Sequence, residues 1–208
     1  MNGKTHMLFG SVASLYLLPK LGYEPVLTTT AAALIGSLIP DMDHPKAKIN
    51  QKILPMKNKV GKILFYCGIG GFLLYRYGLE NRLTFASAII LILIGLSQHR
   101  SFTHSILGIG SMAAIAFFVL KSTLPLQIIL SFIIGLISHL IGDFMTVAGI
   151  ELFYPFSNKK YRFVLTISSG NLAETFIGLF LIYLIINFYM QNGFSMNFFY
   201  SLLHMITH

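Results

Sequence analysis

Two stretches of this chain, Ala86 to Leu96 and Leu124 to Ser138, carry almost no polar side chain, and that emptiness restricts the fold more than any other feature. A helix on the surface of a soluble protein keeps a polar face. A helix in hydrocarbon needs none, because it satisfies its own backbone hydrogen bonds. The chain as a whole is 55% hydrophobic and only 11% charged over 208 residues. Its mean hydropathy of +0.72 lies outside the range of ordinary soluble domains. The expected fold is all-α, a polytopic membrane helix bundle forming a single integral membrane domain over residues 1–208.

Apolar runs between polar breaks predict helices at about Met7 to Pro19, Val26 to Pro40, Lys62 to Tyr77, Thr84 to Gln98, His104 to Leu120, Leu126 to Val147 and Leu172 to Met190. A further run, Phe194 to Ile206, is short and amphipathic. The first two runs fall below the roughly 20 residues that span hydrocarbon, so they read as short spans or a re-entrant hairpin. The count is then about six to seven transmembrane or re-entrant helices. Lys4 precedes a short apolar run, but no small-x-small site follows it, so no signal-peptide cleavage is expected.

The formal net charge is +8, from fifteen Lys and Arg against seven Asp and Glu. The basic residues concentrate in short loops, which is the pattern of topology determinants rather than of a nucleic-acid surface. If each of the seven runs crosses, Lys4, six lysines between Lys46 and Lys62, Arg100, Lys159, Lys160 and Arg162 fall on one side. Lys20, Arg76, Arg82 and Lys121 fall on the other. The positive-inside rule makes the richer side cytoplasmic, and the loop from Lys46 to Lys62 an expected contact with an anionic phospholipid surface.

Against that layout the ionisable residues gather. His6 precedes the first run; Asp41, Asp43 and His44 end the second; His99 and His104 flank the turn between the fourth and fifth; His139 and Asp143 lie late in the sixth; Glu174 opens the seventh. All nine fall near one membrane face, although the helix boundaries were drawn from hydropathy alone. Imidazole nitrogen with carboxylate oxygen suits Zn, Mn or Fe. Cys67 is the one cysteine, so thiolates cannot form the cage. Five histidines and four carboxylates exceed one tetrahedral site, which implies two or more ions, most simply Zn, with some outer partners.

Spacing adds detail. His139 and Asp143 are i and i+4, hence stacked on one helix face. In Pro40-Asp-Met-Asp-His44 a proline precedes three potential ligands at a helix end. His99-Arg-Ser-Phe-Thr-His104 puts two imidazoles at a polar turn, with Arg100 beside them offering a fork of donors to a phosphate or carboxylate. Any one of these residues alone reads equally well as a hydrogen-bonding bridge between helices. A transport path, the other bland reading, should extend through the bilayer depth, whereas these residues pool at one end. Glu151 reads as interfacial, and His204 and His208 fall across the membrane from the cluster.

The series Thr5-His6…Gly10, Pro40-Asp-Met-Asp-His44, His99-Arg…Thr-His-Ser105 and Ser138-His-Leu-Ile-Gly-Asp143, closed by Leu152-Phe-Tyr-Pro-Phe156, resembles the YdjM-like family of membrane-bound metal-dependent hydrolases. The resemblance implies a multi-span metal-dependent hydrolase and carries a functional role to His6, Asp41, Asp43, His44, His99, His104, His139 and Asp143. Glu174 joins that set on topology alone. A more distant likeness is to zinc-dependent phospholipase C and the P1-type nucleases, which share ligand chemistry and helical context.

The expected activity is therefore a phosphoesterase acting on a membrane lipid or lipid-linked phosphate at the cytoplasmic interface of the cell membrane, through a metal-activated water. Arg100 would stabilise charge on the phosphate, and Asp43 or Asp143 would act as general base. Two alternatives remain open: a ceramidase-like amide or ester hydrolase with one zinc, and a metal or proton transporter using the same ligands. No HExxH motif occurs, which disfavours an intramembrane metalloprotease.

Overall fold

The computed structural model describes residues 1–78, 80–98 and 100–191. Among these there are eight α-helices: α1 Gly3–Leu17, α2 Leu27–Leu38, α3 Lys48–Ile53, α4 Lys59–Tyr77, α5 Arg82–Leu96, α6 Ile106–Leu120, α7 Leu126–Phe144 and α8 Leu172–Gln191. No β-strand occurs among the described residues, only two isolated bridges. All seven apolar runs are helical, and α3 is an addition inside the lysine-rich loop. The run from Phe194 to Ile206, with His204 and His208, lies outside the described residues.

Local chemistry sets the boundaries. Side chains of Asn2, Asn58, Asn81 and Ser105 each accept a backbone N–H from the first turn of α1, α4, α5 and α6, which removes one of the donors a helix start leaves bare. The Asn2 cap starts α1 four residues before the apolar run does, so His6 sits inside the helix rather than ahead of it. At the other end of α2, Pro40 has no N–H to donate, and the chain tightens into a 3-10 turn over Pro40–Asp43. That turn aims Asp41 and Asp43 away from the helix axis they follow.

The centre of the fold is α1, α2 and α7 packed together, with α4 paired to α5, α6 joining that pair to α7, and α8 laid on α1. Small residues let the central helices approach to backbone distance. A Cβ on Gly36 would meet the Phe132 carbonyl oxygen of α7, and one on Gly135 would meet the Ala33 carbonyl oxygen of α2. In hydrocarbon, where apolar burial drives little, such close packing is what joins helices. A separate apolar cluster of Tyr66, Ile94, Met112 and Leu136 fills the space between α4, α5, α6 and α7.

Helices α7 and α8, with 19 and 20 residues, are long and apolar enough to cross a bilayer; at about 1.5 Å per residue each reaches roughly 30 Å. Helices α5 and α6 are apolar but shorter. Length and composition thus mark two spans, and the larger number expected from the apolar runs does not follow from them. Helix α8 turns Leu172, Phe176, Phe180 and Met190 outward, as a lipid-facing helix does.

The α2–α7 contact generates a prediction. Gly36→Leu forces a side chain into the α7 backbone and is expected to destabilise the protein by about 1–3 kcal/mol or more. Thermal unfolding in detergent checks it: the variant melts well below the parent, whereas Gly68→Leu, with open space around its Cβ, does not.

Candidate metal centre

Two helix ends and two helix starts converge on the site. The 3-10 turn after α2 carries Asp41 and Asp43, and a second 3-10 turn, Phe102–His104, precedes α6. The last two turns of α7 carry His139 and Asp143, and the first turns of α1 carry His6. Four of these residues, Asp41, His104, His139 and Asp143, offer ligand atoms that all lie within 4.8 Å of one another.

Their distances suit a single ion. His139 Nε2 lies 3.1 Å from His104 Nε2. Asp143 Oδ2 is 3.3 Å from His104 Nε2 and 3.9 Å from His139 Nε2. Asp41 Oδ1 is 3.9 Å from His104 Nε2 and 3.8 Å from His139 Nε2. Ligands about 2.1 Å from a tetrahedral ion are separated by about 3.4 Å along each edge. The four donor atoms thus lie close enough together for one divalent cation to be held by them. His104, His139 and Asp143 are buried, and Asp41, 24% exposed at its side chain, is where the set opens.

Each imidazole is turned to present Nε2 by a partner at its other nitrogen. His139 Nδ1 pairs with the Ser37 carbonyl oxygen at 2.7 Å, so it carries the proton there and leaves Nε2 as a lone pair. His104 Nδ1 lies 3.0 Å from the Thr103 hydroxyl and 3.4 Å from Asp43 Oδ2, and the hydroxyl itself donates to Asp43. A carbonyl or carboxylate behind a histidine is the usual means of orienting a metal ligand. Burial disfavours a charge on His104, yet the bonds from Asp143 and Asp43 outweigh it and push its pKa up to about 10. Burial raises the pKa of Asp41, against the opposing pull of His6 and His104.

Around this centre stand further residues. His6 stacks on His139 with ring centroids 3.9 Å apart, and its Nε2 meets Asp143 Oδ1 at 3.1 Å. Its Nδ1 is buried and has no hydrogen-bond partner. The Met1 amine also reaches Asp143 Oδ1, at 2.7 Å. Arg100 has φ of 62°, the one non-glycine residue with positive φ among the described residues. Held there, its N–H faces Asp43 Oδ2 at 3.3 Å while its guanidinium lies 3.8 Å from Asp143 Oδ2. Backbone strain of this kind concentrates at functional sites.

Of the nine expected ligands, four form the donor set and two, His6 and Asp43, lie directly behind it. His44 caps the end of the 3-10 turn and is outside the four. Glu174 accepts the N–H groups of Asn2 and Gly170, tying the start of α1 to the start of α8. His99 lies outside the described residues. Of the expected bases, Asp143 is within the donor set, while Asp43 is committed to Thr103, Arg100 and His104. Sequence reading missed Ser37 and Asn50. Asn50 donates to the carbonyls of Met42 and His44, both at 2.8 Å, and accepts from the Tyr66 hydroxyl, which holds the ligand-bearing turn in place. Ser37 acts through its backbone and leaves no sequence signal, whereas a polar Asn50 a few residues beyond the Asp-Met-Asp turn was one.

A sequence profile described as YdjM inner membrane protein matches residues 1–207. The chain belongs to that family. It is 30% identical over 178 residues to YvsG of Bacillus subtilis (strain 168), named as an uncharacterized protein, covering 85% of this chain and 87% of that one. It is 28% identical over 189 residues to the inner membrane protein YdjM of Escherichia coli (strain K12), covering 85% and 77% respectively, and equally to YdjM of Shigella flexneri. Together with its two apolar helices, this family makes it a membrane protein. No solved structure matches it, so the likeness to phospholipase C and the P1-type nucleases rests on ligand chemistry alone.

Metal content distinguishes the inner set from the residues behind it. His139→Ala and Asp143→Asn are expected to abolish retention of Zn or Mn after dialysis. Asp43→Asn, which loosens the residues that orient His104 but leaves the four donors in place, should weaken it about 10- to 100-fold. Elemental analysis against a chelator series reads both.

Proposed function

We propose that this protein is a polytopic, metal-dependent hydrolase that cleaves a phosphate ester of a lipid or lipid-linked substrate, its site facing the cytoplasmic headgroup layer. The observation that carries the reading is the convergence of His104 Nε2, His139 Nε2 and two carboxylates, each imidazole pinned from behind. A divalent ion bound there supplies a Lewis acid and an activated water without any Ser or Cys nucleophile.

The chain's own groups do the rest. His139, and His104 once its proton is lost, present lone pairs to one point, and Asp143 holds that geometry from the same helix face as His139. Arg100, 20% exposed at its side chain and aimed toward Asp143, is the donor best disposed to stabilise charge on a phosphoryl oxygen. Beside Asp43 lies a recess of about 170 Å³ lined by Lys59, Lys62, Ser97 and Gln98. Lys62 Nζ donates to the carbonyls of Ile94 and Ser97, which leaves one of its three protons uncommitted among the described residues. The recess adjoins Asp43 rather than the four donors, and its two lysines suit an anionic headgroup better than an amide. Because the donor set lies at helix ends, it meets a lipid at the depth of its phosphate.

A second reading, a ceramidase-like amide or ester hydrolase with one zinc, draws on the fact that the described residues form one four-ligand set. Two Zn or Mn ions per chain by elemental analysis favour the phosphoesterase; one favours the amide hydrolase. A transporter would move metal across liposomes without releasing product.

The decisive experiment gives the purified protein, in nanodiscs with added Zn or Mn, a mixture of phospholipids and polyprenyl phosphates. Release of headgroup, phosphate or diacylglycerol is expected. Arg100→Lys should lower kcat about 100-fold, the scale for losing one charge-stabilising donor, while leaving metal content unchanged. No turnover of any of these lipids, with the metal bound, overturns the proposal.

A further inference from the structure

The segment 145–171, between α7 and α8, is neither helical nor loose. Bridges join Thr146 to Ile167 and Ile150 to Tyr161. Backbone N–H groups of Ile150, Tyr161, Phe163 and Ile167 donate to Tyr161, Ile150, Phe144 and Met145 at 2.8–3.0 Å. Thr146 and Ile150 are buried. Large apolar side chains stand outward among the exposed residues: Phe156 is 87% exposed, Val164 92% and Leu165 75%. Lys159, Lys160 and Arg162 lie between them in the chain.

An ordered scaffold that presents large apolar side chains outward, interleaved with cations, demands a partner that is apolar and anionic at once. Its place in the fold identifies that partner. The segment leaves the end of α7 and enters the start of α8, the two helices long enough to cross a bilayer. It therefore lies at the level where hydrocarbon gives way to headgroups. There, apolar side chains enter the acyl boundary while lysine and arginine reach lipid phosphates.

We propose that segment 145–171 is a membrane-seated cover, with Phe156, Val164 and Leu165 inserted into the anionic headgroup layer of the bilayer that holds the protein. The same segment is bonded to the metal centre from its inner side. The Leu152 carbonyl accepts from Ile106 at the start of α6, Glu151 N–H donates to the Arg100 carbonyl, and the Arg100 guanidinium donates to the Gly149 carbonyl at 3.4 Å. Lipid contact on the outer side thus bears on the position of Arg100. The assignment is independent of hydrolysis, since it concerns where the segment sits and not what the centre turns over.

The chain contains no tryptophan, so a single introduced indole reports on its own surroundings. Val164→Trp and, as a conservative second variant, Phe156→Trp are prepared in the full chain and placed in nanodiscs of phosphatidylcholine and phosphatidylglycerol. The expected result is blue-shifted emission that is largely quenched when the lipids are brominated near the headgroup and protected from aqueous iodide. Brominated phosphatidylglycerol should quench more than brominated phosphatidylcholine at equal mole fraction. Water-like emission quenched by iodide alone in both variants overturns the proposal and leaves the surface to a soluble partner. Equal quenching by the two lipids overturns its assignment to an anionic layer.

Discussion

The hydrogen bond from His139 Nδ1 to the Ser37 carbonyl, 2.7 Å long, is the contact on which the centre depends. It runs from α7 to α2 and exists because Gly36 and Gly135 bring those two backbones together. A side chain at either glycine separates the helices and withdraws the carbonyl. Without that acceptor His139 loses the tautomer that leaves Nε2 free, and the ligand geometry dissolves although no ligand has changed. The packing of small residues and the chemistry of the site are one arrangement seen at two scales.

The same coupling operates on the opposite side. His104 is oriented through Thr103 and Asp43, and Asp43 is held in turn by the Arg100 backbone, which adopts a left-handed conformation to reach it. Asn50 fixes the turn that delivers both aspartates. Asp43, Thr103 and Asn50 are tolerated in the interior because their polar atoms are paired with neighbouring groups.

Much of this was legible in sequence. Hydropathy located all seven long helices, because each apolar run is bounded by polar residues or a proline that end it. The clustering of Asp41, His104, His139 and Asp143 was legible too, since i and i+4 spacing and helix-end positions are one-dimensional facts. What could not be read is which of the nine candidates touch. Glu174 and His6 share the same membrane face, yet Glu174 spends its carboxylate on the backbone of Asn2 and Gly170, while His6 stacks on His139. That division depends on where α1 begins, and the apolar run starts at Met7 whereas the Asn2 cap starts the helix at Gly3. The acceptor behind His139, the Ser37 carbonyl, belongs to the backbone and is invisible in any residue pattern.

The arrangement also has the charge pattern that a group able to hold a cation requires. With Nδ1 of His139 committed to a carbonyl and Nδ1 of His104 to Thr103 and Asp43, two neutral imidazoles would turn lone pairs toward each other across 3.1 Å. Two carboxylate oxygens face the same point. Four acceptors aimed at one spot repel unless something positive occupies it. A proton on His104, whose pKa is pushed up to about 10, is one such charge; the Met1 amine on Asp143 contributes from its other oxygen. A divalent ion answers the same demand more completely, because it satisfies all four acceptors at once and displaces the His104 proton as it binds. The electrostatics of the site are thus those of a cavity built around positive charge, and its nitrogen and oxygen donors match the chemistry of a borderline divalent metal.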